Sequence, residues 1–321
     1  MKSNSRPNSG AFHAEMNSML PPGQPKVDLS IIIVHRGGVQ MLRNCLSSLK
    51  SACGKLTWEA IIVDNGSSDG SQKMVVAEFP EMQLLDMKAN LGFTRGNNVG
   101  ISKAHGRYIV LLNNDTIAVE SCFAAAVQYM EKDPTIGVAG LKLLNEDGSR
   151  QLSCRRFPSF EQALFNRYSL LTRLFPQNPY SKNYLMPDVD DTIRDVDWVS
   201  GACMLIRRKV VEQIGGLDER FFMYSEDVDY CLMTWQRGWR VAYLPVGEVF
   251  HLIGQTSSKF PFMPLMQRHL SMYKFYKKHY SRELLFLDLV TGLMVFLRMT
   301  VQLLVIFVQR TLNRNGANKK R

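Results

Sequence analysis

From residue 29 onward the chain repeats one pattern, a short apolar run closed by Gly, Asn or Asp and followed by a stretch with helical spacing. The runs are 29–34, 60–63, 82–85, 108–112 and 136–144, and the segments between them include 42–49 and 123–130. Strands that alternate with helices in this way build a largely parallel sheet with helices on both faces. Ligands of such sheets bind beyond the carboxyl ends of the strands. The residues that close the runs are therefore where chemistry is expected, and two of these closures are Asp64-Asn65-Gly66 and Asn113-Asn114-Asp115.

Composition narrows the class. Of the 321 residues, 45% are apolar, enough for a large core and too many for a disordered or collagen-like chain. The net charge of +10 is local: residues 259–321 hold 12 Lys/Arg and 2 acids, whereas residues 1–258 hold 27 of each sign. A neutral body argues against nucleic acid as the partner. The six cysteines (Cys45, Cys53, Cys122, Cys154, Cys203, Cys231) lack Cys-x-x-Cys or zinc-like spacing, which predicts reduced, packed thiols.

The domain boundaries follow. Residues 1–27, with Pro21, Pro22, Gly23 and Pro25 and no apolar run fit for a secretory signal, are expected to be a mobile polar leader. The main domain is expected at 28–258, with an irregular, aromatic-rich stretch at 148–195 as a lid or acceptor-binding insert. A basic, aromatic amphipathic segment follows at 259–282, an apolar helix at 283–310 and a basic tail at 311–321. Within that helix Asp288, Thr291, Arg298 and Gln302 project onto one narrow stripe. A helix of about 25 residues with one polar stripe lies in a membrane interface, or spans it with the stripe against protein. Cations at both ends suit an anionic cytoplasmic membrane surface.

Each candidate motif carries a chemical and a purely structural reading. Asp64, at the end of an apolar run, suits a hydrogen bond from a pyrimidine imide, or equally a polar turn capping the next helix. Asn90-Leu91-Gly92-Phe93-Thr94-Arg95-Gly96-Asn97-Asn98-Val99-Gly100 combines glycines that admit close backbone approach with Arg95, a cation suited to a diphosphate. Neither a Rossmann fingerprint nor a P-loop occurs. Asp115 ends its run as a lone carboxylate, enough for Mg²⁺ or Mn²⁺ when phosphates and water supply the other ligands; an Asx turn is the alternative. Glu226, Asp227 and Asp229 open a helix behind Ser225, a candidate N-cap, where acids also complement the helix dipole. The apolar Phe221-Phe222-Met223-Tyr224 before them would raise a carboxylate's pKa towards that of a general base. His251 reads as structural or as a further metal or phosphate contact.

Taken together these motifs resemble glycosyltransferase family 2, in order and over roughly residues 28–258. The most specific stretches are Val199-Ser200-Gly201-Ala202-Cys203-Met204-Leu205-Ile206-Arg207-Arg208, and Gly215-Gly216-Leu217-Asp218-Glu219-Arg220-Phe221-Phe222-Met223-Tyr224-Ser225-Glu226-Asp227-Val228-Asp229. They look like the acceptor and catalytic region of rhamnosyltransferase-like members that build bacterial surface polysaccharides. The resemblance implies an α/β GT-A fold, a nucleotide-sugar-binding mixed sheet flanked by helices, here with a C-terminal membrane-associated helix. It implies Asp227 as general base, with Asp229 and then Glu226 as substitutes. It implies Asp115 as the metal ligand at the Asp-x-Asp position, with Mg²⁺ or Mn²⁺ as cofactor; His251 is the further expected metal contact. Val34, Asp64, Asn90, Arg95, Asn97 and Asn114 form the expected nucleotide-binding set. The partners implied are a dTDP- or UDP-sugar donor, a saccharide or lipid-linked acceptor and a membrane surface, at the cytoplasmic face of a bacterial inner membrane.

Two departures stand out. The first strand closes on Val34-His35-Arg36-Gly37-Gly38 rather than on an Asn- or Tyr-containing turn, and the first Asp-x-Asp position is Asn113. With one charge fewer, metal binding is expected to depend on bound nucleotide. Gln236-Arg237-Gly238-Trp239-Arg240 does not match the Gln-x-x-Arg-Trp pattern of processive synthases, so addition of one sugar or a few is expected. Two competing readings are a sugar-1-phosphate nucleotidylyltransferase, whose longer activation loop is missing after residue 34, and a membrane-tethered nucleotide-binding scaffold without turnover.

Overall fold

The computed structural model describes residues 20–21, 23–158, 191–252, 262–281 and 284–318. The chain opens with β1 (Val27–His35), α1 (Val39–Cys53), β2 (Trp58–Asp64), α2 (Ser71–Glu78) and β3 (Gln83–Asp86). Then come α3 (Gly92–Ile101), β4 (Gly106–Asn113), β5 (Thr116–Ala118), α4 (Cys122–Lys132) and β6 (Ile136–Leu144). After these follow β7 (Cys154–Arg155), β8 (Arg194–Asp195), β9 (Trp198–Val199), β10 (Cys203–Arg207) and α5 (Arg208–Ile214). The last elements are α6 (Glu226–Gln236), β11 (Arg240–His251), α7 (Phe262–His279) and α8 (Leu285–Asn318). Most of the insert expected at 148–195, and the leader before residue 20, lie outside the described residues.

The chain divides into two compact units, 1–218 with 226–253 and 219–225 with 254–321. The first is built on a nine-stranded sheet in the order β3-β2-β1-β4-β10-β6-β11-β5, with β8 pairing β11 at its side. β1 alternates its side chains between two cores. Leu29, Ile31 and Ile33 meet Leu42, Cys45, Leu46 and Leu49 of α1 on one face, and Ile32 joins Ile101 and Ala104 on the other. Each such side chain removed from water contributes roughly 1.5–3 kcal/mol before entropy is counted. All six cysteines are buried and free; burial pushes the Cys45 and Cys53 thiols up to about 12, so they stay protonated and inert.

The sheet is mixed rather than wholly parallel. β10 runs antiparallel between β4 and β6, with Cys203 opposite Leu112 and Met204 opposite Gly140. Its entering end therefore lies at the edge where β1, β2 and β4 finish. β11 runs parallel to β6 and brings its own end, His251, opposite Thr116. These strand ends thus converge on one edge of the sheet.

In the second unit α7 and α8 form a helical pair. Lys277 pairs with Asp288, and Ser281 Oγ donates to Asp288 Oδ2 at 3.0 Å, so the one acid in the apolar stretch of α8 is buried and partnered. Tyr273 lies against Gly292, where a Cβ would sit 3.4 Å from its ring. The apolar side of α8 is bare: Leu285 and Phe286 are 72% and 75% exposed, and Leu289, Leu293, Phe296, Val301, Leu304 and Phe307 are exposed as well. Leu285–Val308 is long and apolar enough to cross a membrane.

Candidate active site

Asp64 closes β2 opposite His35 of β1. Its Oδ1 accepts the N–H groups of Gly66 at 3.0 Å and Ser67 at 2.8 Å and the Gln72 amide at 3.0 Å. Its Oδ2 is buried without a partner. One oxygen thus builds the turn while the other is left to accept a hydrogen bond. A second buried oxygen, Asn65 Oδ1, also lacks a partner, while Asn65 Nδ2 donates to the Gly92 carbonyl at 2.9 Å.

His35 occupies the departure at the end of β1, and it joins the two closures. Asn114 Nδ2 donates to His35 Nδ1 at 2.8 Å, which leaves Nε2 to carry the proton and donate to Ser71 Oγ at 2.8 Å. The Ser71 hydroxyl passes the chain on to Asp69 Oδ1 at 2.5 Å. Asp69 Oδ2 in turn accepts Gly38 N–H at 2.6 Å and Val39 N–H at 3.0 Å. Burial lowers the His35 pKa against the pull of Asp64 and Asp69, in keeping with a neutral ring. Asn114 is therefore oriented through His35.

The α3 residues divide by role. Gly96 and Gly100 let the helix lie on β1: a Cβ at Gly96 would come 2.9 Å from Val34 Cγ1, and one at Gly100 would strike Ile32 Cγ2. Val34 thus packs its side chain beneath α3. Asn90 Oδ1 accepts Gly92 N–H at 3.1 Å, an Asx turn that starts the helix, and Asn97 Nδ2 donates to the Phe93 carbonyl at 2.9 Å. Arg95 stands exposed on the helix. Asn98, whose spacing points to no particular contact, clamps Leu217: its Nδ2 donates to the Leu217 carbonyl and its Oδ1 accepts Leu217 N–H, both at 2.8 Å. No local signal marks a pairing across 119 residues.

At the end of β4, Asp115 Oδ1 is buried without a hydrogen bond, and His251 Nε2 lies 3.3 Å from it. Gln151 sets that ring. Gln151 Nε2 donates to the His251 carbonyl at 2.6 Å, so its Oε1 must be the atom 3.0 Å from His251 Nδ1, and Nδ1 carries the ring proton. The Nε2 lone pair then faces Asp115 and the Asn113 amide, 3.3 Å away. A carboxylate oxygen beside a fixed imidazole lone pair is a donor set for a divalent cation. Among the described residues no group of three or more His, Cys, Asp or Glu could hold a metal. A cation here would need phosphate and water to complete its shell.

Asp227 lies in the first turn of α6, and its Oδ2 accepts the Gly201 N–H at 3.1 Å. The neighbouring Ala202 carbonyl accepts Asn113 N–H at 2.9 Å, so the turn into β10 joins Asp227 to the Asp115 loop. A Cβ on Gly201 would lie 3.5 Å from Asp227 Cβ and 3.6 Å from the Phe93 ring. Burial raises the Asp227 pKa, opposed by its hydrogen bonds from Gly201 and Val228 and by the Arg155 charge. Burial, and then the Asp227 and Asp229 charges, raise Glu226 further; Glu226 Oε2 is buried without a partner. Asp229, two residues after Asp227, is buried. Ser225 has φ 67° rather than the extended backbone usual at an N-cap, and Phe221-Phe222-Met223-Tyr224 belong to the second compact unit.

The family model described as Glycosyl transferase family 2 matches residues 30–215, more than half of the chain. The chain belongs to glycosyl transferase family 2. It is 30% identical over 251 residues to the N-acetylglucosaminyl-diphospho-decaprenol L-rhamnosyltransferase of Mycobacterium tuberculosis (strain ATCC 25618 / H37Rv), covering 75% of this chain and 81% of that one. It is 27% identical over 171 residues to rhamnosyltransferase WbbL of Escherichia coli (strain K12), covering 50% of this chain and 60% of the other. Among solved structures, GalNAc-T7 with UDP, GalNAc and Mn²⁺ matches with a TM-score of 0.52 at 18% identity, over 70% of this chain and under half, 44%, of that chain. The mannosyltransferase PcManGT from Pyrobaculum calidifontis, in complex with GDP-Man and Mn²⁺, matches with a TM-score of 0.52 at 15% identity, over 84% of this chain and 70% of the other. The family 2 chain therefore has the expected GT-A fold and is a glycosyltransferase of polysaccharide synthesis with rhamnosyltransferase relatives.

Proposed function

We propose that the enzyme transfers one sugar, rhamnose by preference, from a nucleoside-diphosphate donor to a hydroxyl of a lipid-linked saccharide, with inversion at the anomeric carbon. The observation that carries this reading is the Asp227 carboxylate, held by Gly201 N–H and raised in pKa by burial, on a turn shared with the Asp115 loop. Asp227 takes the proton of the acceptor hydroxyl as its oxygen attacks the anomeric carbon. The bond from that carbon to the diphosphate oxygen breaks on the opposite face, releasing nucleoside diphosphate. A raised pKa makes the carboxylate a stronger base.

On the donor side, Asp64 Oδ2 accepts the imide N–H of a pyrimidine, and Arg95 meets the diphosphate. His35 orients Asn114 at the end of the neighbouring strand. Asp115 and His251 are the residues to hold a divalent cation, which when bound neutralises charge on the departing diphosphate. The imidazole favours Mn²⁺ over Mg²⁺.

The name of the mycobacterial relative gives N-acetylglucosaminyl-diphospho-decaprenol as its acceptor. The bare face of α8 and the Lys277–Asp288 pair that covers its acid suit this chain to a membrane carrying such a lipid, at its cytoplasmic face. The test is a radiolabelled transfer assay in detergent with dTDP-rhamnose or UDP-hexoses and a polyprenyl-diphosphate saccharide, with the product anomer read by NMR. Inverted product from a pyrimidine donor is expected; retained configuration would refute Asp227 as base.

A further inference from the structure

Three arginines from separate segments gather around one core of the first compact unit, the core to which Cys154, Trp198 and Tyr243 belong. Arg150 precedes Gln151, which sets the His251 ring. Its Nη2 donates to Tyr243 Oη at 2.6 Å, and its guanidinium lies 5.1 Å from the centre of the Tyr243 ring. Arg194 in β8 stands opposite Tyr243 of β11. Arg155 in β7 stands opposite Trp198 of β9, with its guanidinium 5.3 Å from the centre of that ring. The charges of all three reach the buried Cys154 thiol and oppose the rise that burial imposes on its pKa.

The cluster adjoins the candidate base. Cys154 pairs with Val199, and the Ser153 carbonyl accepts Ser200 N–H at 2.8 Å, so the β7–β9 ribbon runs directly into the Gly201 N–H that holds Asp227. The Arg155 charge acts on Asp227 itself. Lys142 adds a fourth cation, paired with Asp191 at 2.9 Å and Glu248 at 3.0 Å, and the Asp191 charge reaches Tyr243; Arg156 pairs with Asp197 at 3.2 Å. Like charges gathered in a half-buried setting repel one another, and an anion relieves that cost. Guanidinium groups match phosphate oxygens in bidentate pairs. The Tyr243 and Trp198 rings hold two of these groups in place before any ligand arrives.

We propose that Arg150, Arg155 and Arg194 bind the diphosphate of the lipid-linked acceptor. The inference deepens the reading of the acceptor given above and rests on Asp227 as the general base. A saccharide that presents its hydroxyl to Asp227 carries its own diphosphate at its reducing end, so an anion site beside the base is where that group falls. The donor's diphosphate belongs with Asp115, His251 and Arg95. The enzyme therefore selects its acceptor by the diphosphate as well as by the sugar.

The full-length chain in detergent provides the test, with Arg194→Gln, its double variant with Arg150→Gln, and Arg194→Lys. Arg155 is left in place because its charge acts on Asp227. Each protein is assayed with one saccharide in two forms, linked to a prenyl diphosphate and as an uncharged alkyl glycoside. The ratio of kcat/KM for the diphosphate form over the glycoside should fall roughly tenfold to a hundredfold per arginine, the scale of one charge-assisted hydrogen bond. Arg194→Lys should recover part of that loss. Both forms use the same fold and the same base, so a variant that merely unfolds or misplaces Asp227 leaves the ratio unchanged. Calorimetry with geranyl diphosphate, the donor site being filled with nucleoside diphosphate, should show the same loss, while affinity for nucleoside diphosphate stays at the wild-type value. An unchanged ratio overturns the proposal. So does an equal loss of nucleoside diphosphate affinity, which would assign the arginines to the donor. If the wild-type chain transfers no sugar, the function proposed above fails, while geranyl diphosphate binding still decides whether these arginines hold a diphosphate.

Discussion

The Asp227 carboxylate accepts the main-chain N–H of Gly201 at 3.1 Å, bridging α6 and the turn that enters β10. Because the next residue, Ala202, accepts Asn113 N–H, this one contact places the candidate base on the same main-chain turn as the candidate metal loop. A Cβ at position 201 would lie in ordinary contact with Asp227 and Phe93, so the turn packs closely against both.

Replacing Asp227 by Asn should lower kcat by roughly 10²–10⁴ with nucleotide affinity unchanged. Steady-state kinetics and calorimetry with nucleoside diphosphate measure the two separately. A variant within a factor of about ten of wild type would sit below that range and remove Asp227 from the mechanism. The same base gives kcat an acidic limb at a pH above the ordinary carboxylate value, because burial raises its pKa.

Burial, and then its two acidic neighbours, raise the Glu226 pKa. Its folded state therefore holds a proton that the unfolded chain has lost, and stability falls as pH rises from the ordinary glutamate value through the raised one. Glu226→Gln removes that ionisation. Thermal unfolding across this window should slope downward with pH in the wild type and be flatter in the variant. Parallel slopes would mean that Glu226 is not the titrating group.

Metal binding should follow the Asp115–His251 pair. With a pyrimidine diphosphate at 100 times its Kd, unfolding should be opposed by roughly 2.7 kcal/mol, and by more when Mn²⁺ is present. Asp115→Asn should abolish only the metal-dependent part. Gln151→Leu, which frees the His251 ring, should weaken Mn²⁺ by roughly 10–100-fold. Mn²⁺ titrations that are identical in all three proteins would sink the assignment.

For Asp64 the expected effect is on base selection. Asp64→Asn keeps the shape of the turn but changes what the free position can accept. Uridine and thymidine diphosphates should bind more weakly by roughly 1.5–3 kcal/mol, the worth of a hydrogen bond to a charged group, and guanosine diphosphate should be unaffected. Equal losses for all three nucleotides would mean that the turn, not the base contact, had been damaged.

Gly100→Ala tests the seat of α3. Helix propensity alone predicts a gain of about 1 kcal/mol. The new methyl group would strike Ile32 Cγ2 in a fully buried position, and overpacking costs roughly 1–3 kcal/mol, so a net loss of stability by chemical denaturation is expected.

Much of this protein follows from local pattern. The apolar runs at 29–34, 60–63, 82–85, 108–112 and 136–144 all lie within or overlap strands of the sheet, because a continuous apolar stretch closed by Gly, Asn or Asp can be buried in few other ways. Asp64 and Asp115 were legible as strand closures, and α8 as an apolar helix long enough to cross a membrane. Those features depend on residues a few positions apart. What the tertiary structure alone decided depends on residues far apart. The direction of β10 is set by its partners β4 and β6, because a five-residue strand pairs either way on its own propensity. The hold of Gly201 on Asp227, of Gln151 on His251 and of Asn98 on Leu217 spans 26, 100 and 119 residues. Hydrogen bonds of that reach arise only once the sheet has brought its strand ends to one edge, since no short stretch of chain encodes the partner that burial will supply.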